Sequence, residues 1–422
     1  MMILDPVEFD GTIERGGQAV TVRFTAAIDG DGELQLTFQP IAPNRAAFPF
    51  IPEQRVLEPL EQLTLRGRAA EFWSFESEAF HVSRWSHLTD HVEITGYCSV
   101  AELSRPAKPD QHDACAWYYR KLATIHPITT STGVGTVVLR GYKDNADQEP
   151  VSLLAIESKG QEDEPWWQEV ERLLVHLQRV LSFACGVYLL PVYEQRFRGG
   201  HMTLRVAQRS RAPTPYLAPF RELFMEEIFG CAILSFYDQA AEVVRLDPAI
   251  RWLTAPVALA ESRLINAMSA LECILASSEV AQFYINDAAF DELRKSTTKF
   301  LKGAKAPSGM AGKVRELNRR SFREKLQDLL ARQPFPISDF PDDWLKGATE
   351  ARNVIVHTGI SPDVPAADAS LLDHVVRVRE IVTRLMLAAI GFKGQYQSWL
   401  HHCADLSFPA CRRVDEGPSA SE

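Results

Sequence analysis

The hydrophobic pattern of the chain changes near residue 215, and this change constrains the fold more than any other feature of the sequence. Before residue 215, short segments alternate apolar and polar residues, which is the two-residue period of half-buried strands. The clearest cases are VTVRF at 20–24 and ELQLTF at 33–38, with the turn sequence DGDG at 29–32 between them. After residue 215, apolar residues recur every three or four positions, as in amphipathic helices.

These patterns predict an α+β fold. We expect further strands at 63–65, 91–96, 136–141, 151–157, 187–194 and 202–207, and a helix at 165–185 among them. The second half predicts helices at 220–246, 257–277, 286–302, 313–331, 342–357 and 367–391. The predicted organisation is a β-rich N-terminal domain at 1–215, an all-α helical bundle at 216–411 and a polar, disordered tail at 412–422.

Composition excludes several classes of protein. The 422 residues are 46% hydrophobic with a net charge of −10, which excludes a wholly disordered chain and a globally basic nucleic-acid-binding surface. No apolar run approaches the 18 residues of a membrane span, and the N-terminal MMILDPVEFDG does not resemble a signal peptide. Seven cysteines without a CxxC pair indicate reduced thiols. We therefore expect a cytoplasmic protein that does not contact membranes.

The most informative segment is DDWLKGATEARNVIVHTG at 342–359. Asp342 and Gly359 are expected to begin and end a helix. An apolar stripe at 344, 348, 351 and 355 anchors one face of that helix and leaves Arg352, Asn353 and His357 near its C-terminal end. Asn353 and His357 share a face, whereas Arg352 and His357 are separated by about 140° and about 7.5 Å of rise.

The spacing Arg-x4-His is by itself a weak signal, because the chain contains it twice. The second match, Arg196 and His201, spans a Gly-Gly turn in the strand-rich half. Only Arg352 and His357 lie on a predicted helix, with a polar residue directly after the arginine and Thr-Gly after the histidine. We therefore select Arg352, Asn353 and His357 as the candidate site.

The sequence RNVIVHTG at 352–359 resembles the Arg-Asn-x-x-x-His motif of HEPN domains. The segment 258–275 is similar to the first long helix of those domains. The N-terminal half resembles the β-rich sensor region of ApeA-like anti-phage proteins, and 166–186 is similar to a helix near the end of that region. The resemblance is specific at the motif and looser in the N-terminal half.

The resemblance implies a metal-independent endoribonuclease without cofactors, which acts as a homodimer and serves as a toxin in abortive infection. His357 would be the general acid or base, Arg352 would hold the scissile phosphate, and Asn353 would orient the histidine or bind the phosphate. Glu272 is a possible supporting residue. A phage-derived trigger would act on the N-terminal domain.

A local basic segment favours RNA as the partner. Between residues 294 and 325 there are eleven Lys and Arg residues against two Glu residues. The candidate RNA contacts are Lys299, Lys302, Lys313, Arg315, Arg319, Arg320 and Arg323. The alternative is that this segment is a solvated helix surface.

Other functions stay open at this point. The Arg–His pair has a structural alternative, since a helix C-terminus favours a charged histidine and Arg352 can pair with an acid. The protein would then be a catalytically silent HEPN dimer that serves as a scaffold, or a sensor of nucleotides or RNA. Neither His87 with His91 nor the run 401–403 completes a metal-binding pattern, so we predict no metal site.

Overall fold

The computed structural model divides the chain into two compact units. The first comprises Met1–Pro215 and Phe220–Phe236, and the second comprises Tyr216–Pro219 and Tyr237–Glu422. The residues that the structure describes are 4–29, 32–41, 63–87, 91–108, 110–120, 122–141, 151–160, 162–207, 215–305, 307–359, 370–400 and 402–413.

An antiparallel sheet, with thirteen strands in the described residues, forms most of the first unit. The strands are β1 (Leu4–Arg15), β2 (Gln18–Ile28), β3 (Leu34–Phe38), β4 (Leu63–Arg68), β5 (Ser74–His87), β6 (Val92–Cys98), β7 (Val100–Pro106), β8 (Ala114–Arg120), β9 (Ile128–Thr132), β10 (Gly135–Arg140), β11 (Val151–Glu157), β12 (Tyr193–Arg198) and β13 (His201–Ala207). Their order in the sheet is β3-β2-β1-β4-β5-β7-β13-β12-β8-β11-β10-β9, and β6 also pairs with β5.

Phenylalanines from neighbouring strands form part of the core on one face of this sheet. Phe9 on β1 and Phe24 on β2 stack with their ring centroids 5.2 Å apart, and Phe75 on β5 meets both rings edge-on. β1 and β2 are joined at Gly16 and Gly17, which both have the positive φ that a two-residue hairpin turn requires. Burial of one face then fixes the register, because a slip by one residue would expose the phenylalanines.

One long helix, α1 (Glu164–Cys185), follows the strand-rich segment, as predicted. The side chain of Asp163 accepts a hydrogen bond from the Trp166 N–H at its start, and Gly186 ends it with a φ of 63°. The carboxylate satisfies a backbone donor that the helix itself leaves free, and glycine adopts the left-handed conformation without steric cost.

The first turns of α2 (Met225–Thr254) belong to the first unit and pack on α1 through a buried histidine. Nε2 of His176 lies 3.0 Å from the Ala232 carbonyl oxygen and 2.9 Å from Ser235 Oγ. Because the carbonyl accepts only, this nitrogen carries the proton of the neutral imidazole. Burial lowers the pKa of His176 to about 4.

The second unit is built mainly from helices. They are α3 (Ala260–Ser277), α4 (Asp287–Gly303), α5 (Ser308–Lys313), α6 (Phe322–Leu330), α7 (Trp344–Thr358) and α8 (Leu371–Ala389), together with the rest of α2. α3, α7 and α8 pack against one another, and most of the second half of α8 is buried. The predicted helices therefore exist, with one exception.

The exception is the helix predicted at 313–331, which is broken. α5 ends at Lys313, a 3₁₀ turn follows, and α6 starts at Phe322. The buried side chain of Asn318 bonds the backbone N–H and carbonyl of Ile285, which holds the chain out of helical geometry. Ser321 and Glu324 then form a capping box that starts a new helix. Hydrogen bonds from Ser321 and from the hydroxyl of Tyr284 lower the pKa of Glu324 to about 2.

A small antiparallel sheet, which the sequence analysis did not predict, follows α8. Its strands are β14 (Gly394–Ser398), β15 (Ala404–Phe408) and β16 (Arg412–Arg413). The first two residues of the tail predicted at 412–422 are therefore ordered by pairing with β15, and the remainder, 414–422, lies outside the described residues. The α+β fold class is confirmed, although the second unit is not purely helical.

A buried arginine joins α8 to this sheet. Arg384 is fully buried and donates to Glu380 Oε1 at 3.0 Å, to Asp339 Oδ1 at 2.9 Å and to the hydroxyl of Tyr396 on β14 at 3.2 Å. Two carboxylates and a carbonyl, that of Pro336, satisfy its donors. The charge is compensated inside the unit, so the network fixes the sheet against the helices.

Candidate functional site

Helix α7 carries the Arg-x4-His motif and is anchored along one stripe. Its four predicted anchoring residues, Trp344, Ala348, Ala351 and Ile355, are all buried. The start of the helix differs from the prediction, because α7 begins at Trp344 and no side chain caps it. Its end is as predicted, with Gly359 in the left-handed conformation donating to the Ile355 carbonyl.

A glycine sets how closely α7 approaches α8. A Cβ atom at Gly347 would lie 2.7 Å from Cε1 of His374 on α8, closer than side chains pack in proteins. The ring of His374 is almost completely buried, and its Nδ1 has no hydrogen-bond partner among the described atoms. Burial, and then the charge of Arg377, lower the pKa of His374, so the neutral ring is favoured at this contact.

Three polar side chains meet beside α7, and we call them the Arg352 cluster. Nη2 of Arg352 lies 3.4 Å from Oε1 of Glu272 on α3, and Nη1 lies 3.3 Å from Oδ1 of Asn353. The side chains of Arg352 and Glu272 are 32% and 46% exposed. The structure thus brings together three of the four residues that the sequence analysis selected, and it leaves them accessible to solvent.

His357 lies one and a half turns beyond Arg352, in the last turn of α7, and is exposed. Asn353 donates to neither ring nitrogen; its amide oxygen accepts from Arg352 instead. Because the two motif side chains point about 140° apart, one copy of α7 does not aim both at a single phosphate from the same side.

The exposed side of α7 also carries apolar side chains. Val356 is 51% exposed and Val354 is 38% exposed, and they flank Asn353 and His357 along the helix.

The cations of the basic segment lie on several elements of the second unit. Lys299 and Lys302 are exposed on α4, Lys313 ends α5, and Arg319 and Arg323 are exposed around the start of α6. The side chain of Arg315 lies outside the described residues.

Arg320 differs from the other predicted RNA contacts because it has a structural role. It is half-buried and pairs with Asp328 at 2.6 Å, and its backbone N–H donates to Gln282. Two more cations of the segment are paired with acids that precede it, Arg294 with Asp291 and Lys295 with Glu292. The charge counted between 294 and 325 therefore leaves out three neighbouring carboxylates, and of the three pairs only that of Arg320 is partly buried.

Metal sites, cysteine thiols and membrane-spanning helices were also considered in the part of the chain that the structure describes. No group of three or more His, Cys, Asp or Glu side chains there is arranged to hold a metal ion. Burial raises the pKa of the Cys98, Cys115 and Cys185 thiols to about 12, which keeps them protonated and poorly nucleophilic. Among the described helices, none combines the length and apolar character that crossing a bilayer demands.

Comparison of the chain with models of protein families, with curated proteins and with solved structures found no match.

Proposed function

We propose that the protein is a metal-independent endoribonuclease of the HEPN type. The observation that carries this proposal is the Arg352 cluster on an anchored helix whose exposed side also presents His357. A guanidinium held by an amide and a carboxylate, yet open to solvent, is preorganised to receive a phosphate. The exposed imidazole supplies a group that can donate or accept a proton.

The reaction uses the 2′-hydroxyl of RNA as its nucleophile. The 2′-oxygen attacks the neighbouring phosphorus and loses its proton, while the bond from phosphorus to the 5′-oxygen breaks and that oxygen gains a proton. The products are a 2′,3′-cyclic phosphate and a 5′-hydroxyl. His357 serves one of the two proton transfers, and Arg352 stabilises the charge that develops on the phosphate oxygens. Asn353 fixes the guanidinium.

The active form in this proposal is a homodimer. One α7 does not aim both motif side chains at one phosphate, so a second copy supplies the missing histidine. The exposed Val354 and Val356 beside the motif are suited to packing against that copy. No cofactor is required. We place the protein in the cytoplasm, where its RNA substrate is found.

The first unit restrains or triggers the nuclease in this proposal. A free ribonuclease harms its host, so an inactive resting state is needed in an abortive-infection toxin. A phage-derived component that binds the β-rich unit would shift the population towards the active dimer.

The second candidate is a silent scaffold or sensor that binds RNA or nucleotides without cleavage. The pairing of Arg352 with Glu272 favours the scaffold form of this candidate, because it gives the guanidinium a structural partner other than phosphate.

Cleavage of total cellular RNA in EDTA tests the proposal. The wild type should give discrete cuts with cyclic-phosphate ends, and His357→Ala should lower the rate by about 10²–10⁴-fold. Arg352→Ala should also abolish the cuts. The matched control is His201→Ala, which removes the exposed histidine of the other Arg-x4-His pair and should cut like the wild type.

Cuts that persist in both motif variants would remove the Arg–His assignment. Binding of RNA without cuts, in resting protein and during phage infection, would favour the silent candidate.

A further inference from the structure

Cationic side chains are aligned along one face of helix α4. Arg294, Lys295, Thr298, Lys299 and Lys302 line an open groove of about 360 Å³. Positions 294, 298 and 302 are four residues apart, as are 295 and 299, so each row rises by about 6 Å per step. A rise of about 6 Å is comparable to the distance between successive phosphates of a nucleic-acid strand. We call these five residues the α4 groove.

The charges of the α4 groove are available to a ligand. Arg294 and Lys295 pair with Asp291 and Glu292 at 3.0 and 2.9 Å on the surface, and exposed pairs of this kind contribute little energy and exchange readily. Lys299 and Lys302 have no acidic partner within 4 Å among the described residues. The helix is therefore most cationic at its C-terminal half.

The surroundings of α4 leave this face open. Phe290, near the start of the helix, is the only buried side chain among those described on α4, so most of the helix surface is open. A second copy of the chain seated on the groove would bring lysines against lysines. An anionic ligand matches the charge, and a linear polyanion matches four cations spread over about 12 Å along one face of the helix.

We propose that the α4 groove binds the phosphate backbone of single-stranded RNA and is a substrate subsite separate from the Arg352 cluster. The inference rests on the proposed ribonuclease function. Attack by the 2′-hydroxyl needs a strand that can place the 2′-oxygen opposite the leaving oxygen, which a base-paired helix resists. Single strands are therefore the substrate, and the groove holds them without reading their sequence.

Binding of a fluorescein-labelled oligouridylate to the full chain tests this subsite. Every form carries His357→Ala so that binding is measured without cleavage. The test variant adds Lys299→Gln and Lys302→Gln, two exposed positions. The matched control adds Lys108→Gln and Lys159→Gln, which remove the same charge from exposed positions of the first unit.

The salt dependence of the dissociation constant is the readout. Each phosphate contact to a single strand adds about 0.7 to the slope of log K against log salt. Loss of two contacts should therefore remove about 1.4 from the slope, which is about sevenfold in affinity between about 50 and about 200 mM NaCl. The control variant should keep the slope of the protein that carries only His357→Ala.

Equal slopes in the test and control variants would overturn the subsite, and so would the absence of RNA binding at low salt. Vesicles of phosphatidylserine and phosphatidylcholine are the competing polyanion. If the two lysines affect vesicle binding and not RNA binding, the groove is a lipid contact and the proposal is wrong. A groove that binds RNA in a protein that never cleaves it would reject the nuclease and retain the subsite.

Discussion

The buried His176 makes the stability of the first unit depend on pH. Its imidazole is 2% exposed, and burial lowers its pKa from 6.5 to about 4. Below pH 6.5 the imidazole of His176 becomes protonated in the unfolded chain, whereas in the folded chain it stays neutral until the pH nears 4. Protonation therefore stabilises the unfolded state as the pH falls, and the folded state loses stability relative to neutral pH across this window.

The magnitude follows from the shift. One pKa unit corresponds to about 1.36 kcal/mol, so the full window is worth about 3 kcal/mol. At pH 5.5 the loss is about 1.4 kcal/mol, and at pH 5 it is about 2 kcal/mol. The loss of stability affects the contact between α1 and the start of α2, because Nε2 of His176 forms hydrogen bonds with Ala232 and Ser235 there.

Hydrogen exchange measured by mass spectrometry on peptides from α1 reports the opening free energy of this unit alone. The wild type is compared with His176→Gln, which keeps an N–H donor and does not titrate. A constant offset in stability between the two forms does not depend on pH, whereas their difference should change by about 2 kcal/mol between pH 7 and pH 5. Parallel pH profiles would refute the assignment of a neutral, buried imidazole.

Two further predictions concern the second unit, and urea unfolding measures both. Arg384→Met should cost about 3–5 kcal/mol, because it leaves buried carboxylates without their counter-charge; a loss below about 1 kcal/mol would contradict a compensated network. Gly347→Ala should destabilise by up to about 2 kcal/mol, since overpacking against His374 exceeds the helix-propensity gain of about 1 kcal/mol. The control is Gly230→Ala in the part of α2 that belongs to the first unit, where an added Cβ meets nothing within 4 Å, and it should stabilise the helix. If both substitutions changed the free energy of unfolding in the same direction, the close approach of α7 to α8 would be contradicted.

The sequence predicts the parts of this fold that depend on local patterns. The alternation in β2 and β3 and the apolar stripe of α7 were visible because each is periodic within one element. Gly186 and Gly359 were visible as helix ends because the left-handed conformation selects glycine locally.

The parts that the sequence analysis missed depend on contacts between distant segments. Asn318 breaks a predicted helix by bonding to Ile285, 33 residues earlier. The helix predicted at 220–246 continues through Pro248 to Thr254. Arg320 was counted with the free cations although Asp328, just beyond the counted window, pairs with it.

The same distinction applies to the candidate site. Asn353 and His357 are four residues apart, a spacing that predicts a contact between them. In the structure, Arg352 donates a hydrogen bond to the amide oxygen of Asn353 instead. Glu272 was the weakest of the four selected residues from sequence, and the fold places it against Arg352 because α3 packs on α7. Helical periodicity places residues on faces, whereas the packing of helices decides which faces meet.

The pair of Arg352 and Glu272 contributes little to the stability of the fold. At 3.4 Å the attraction between two unit charges is about 1.2 kcal/mol in water, and ordering two long, accessible side chains consumes much of it. A phosphate, which carries a full charge and accepts both arms of the guanidinium, competes well against one carboxylate oxygen at this distance. In the proposed function, the carboxylate would hold the guanidinium in place without locking it, and an arriving phosphate would exchange with it at little cost in folding energy.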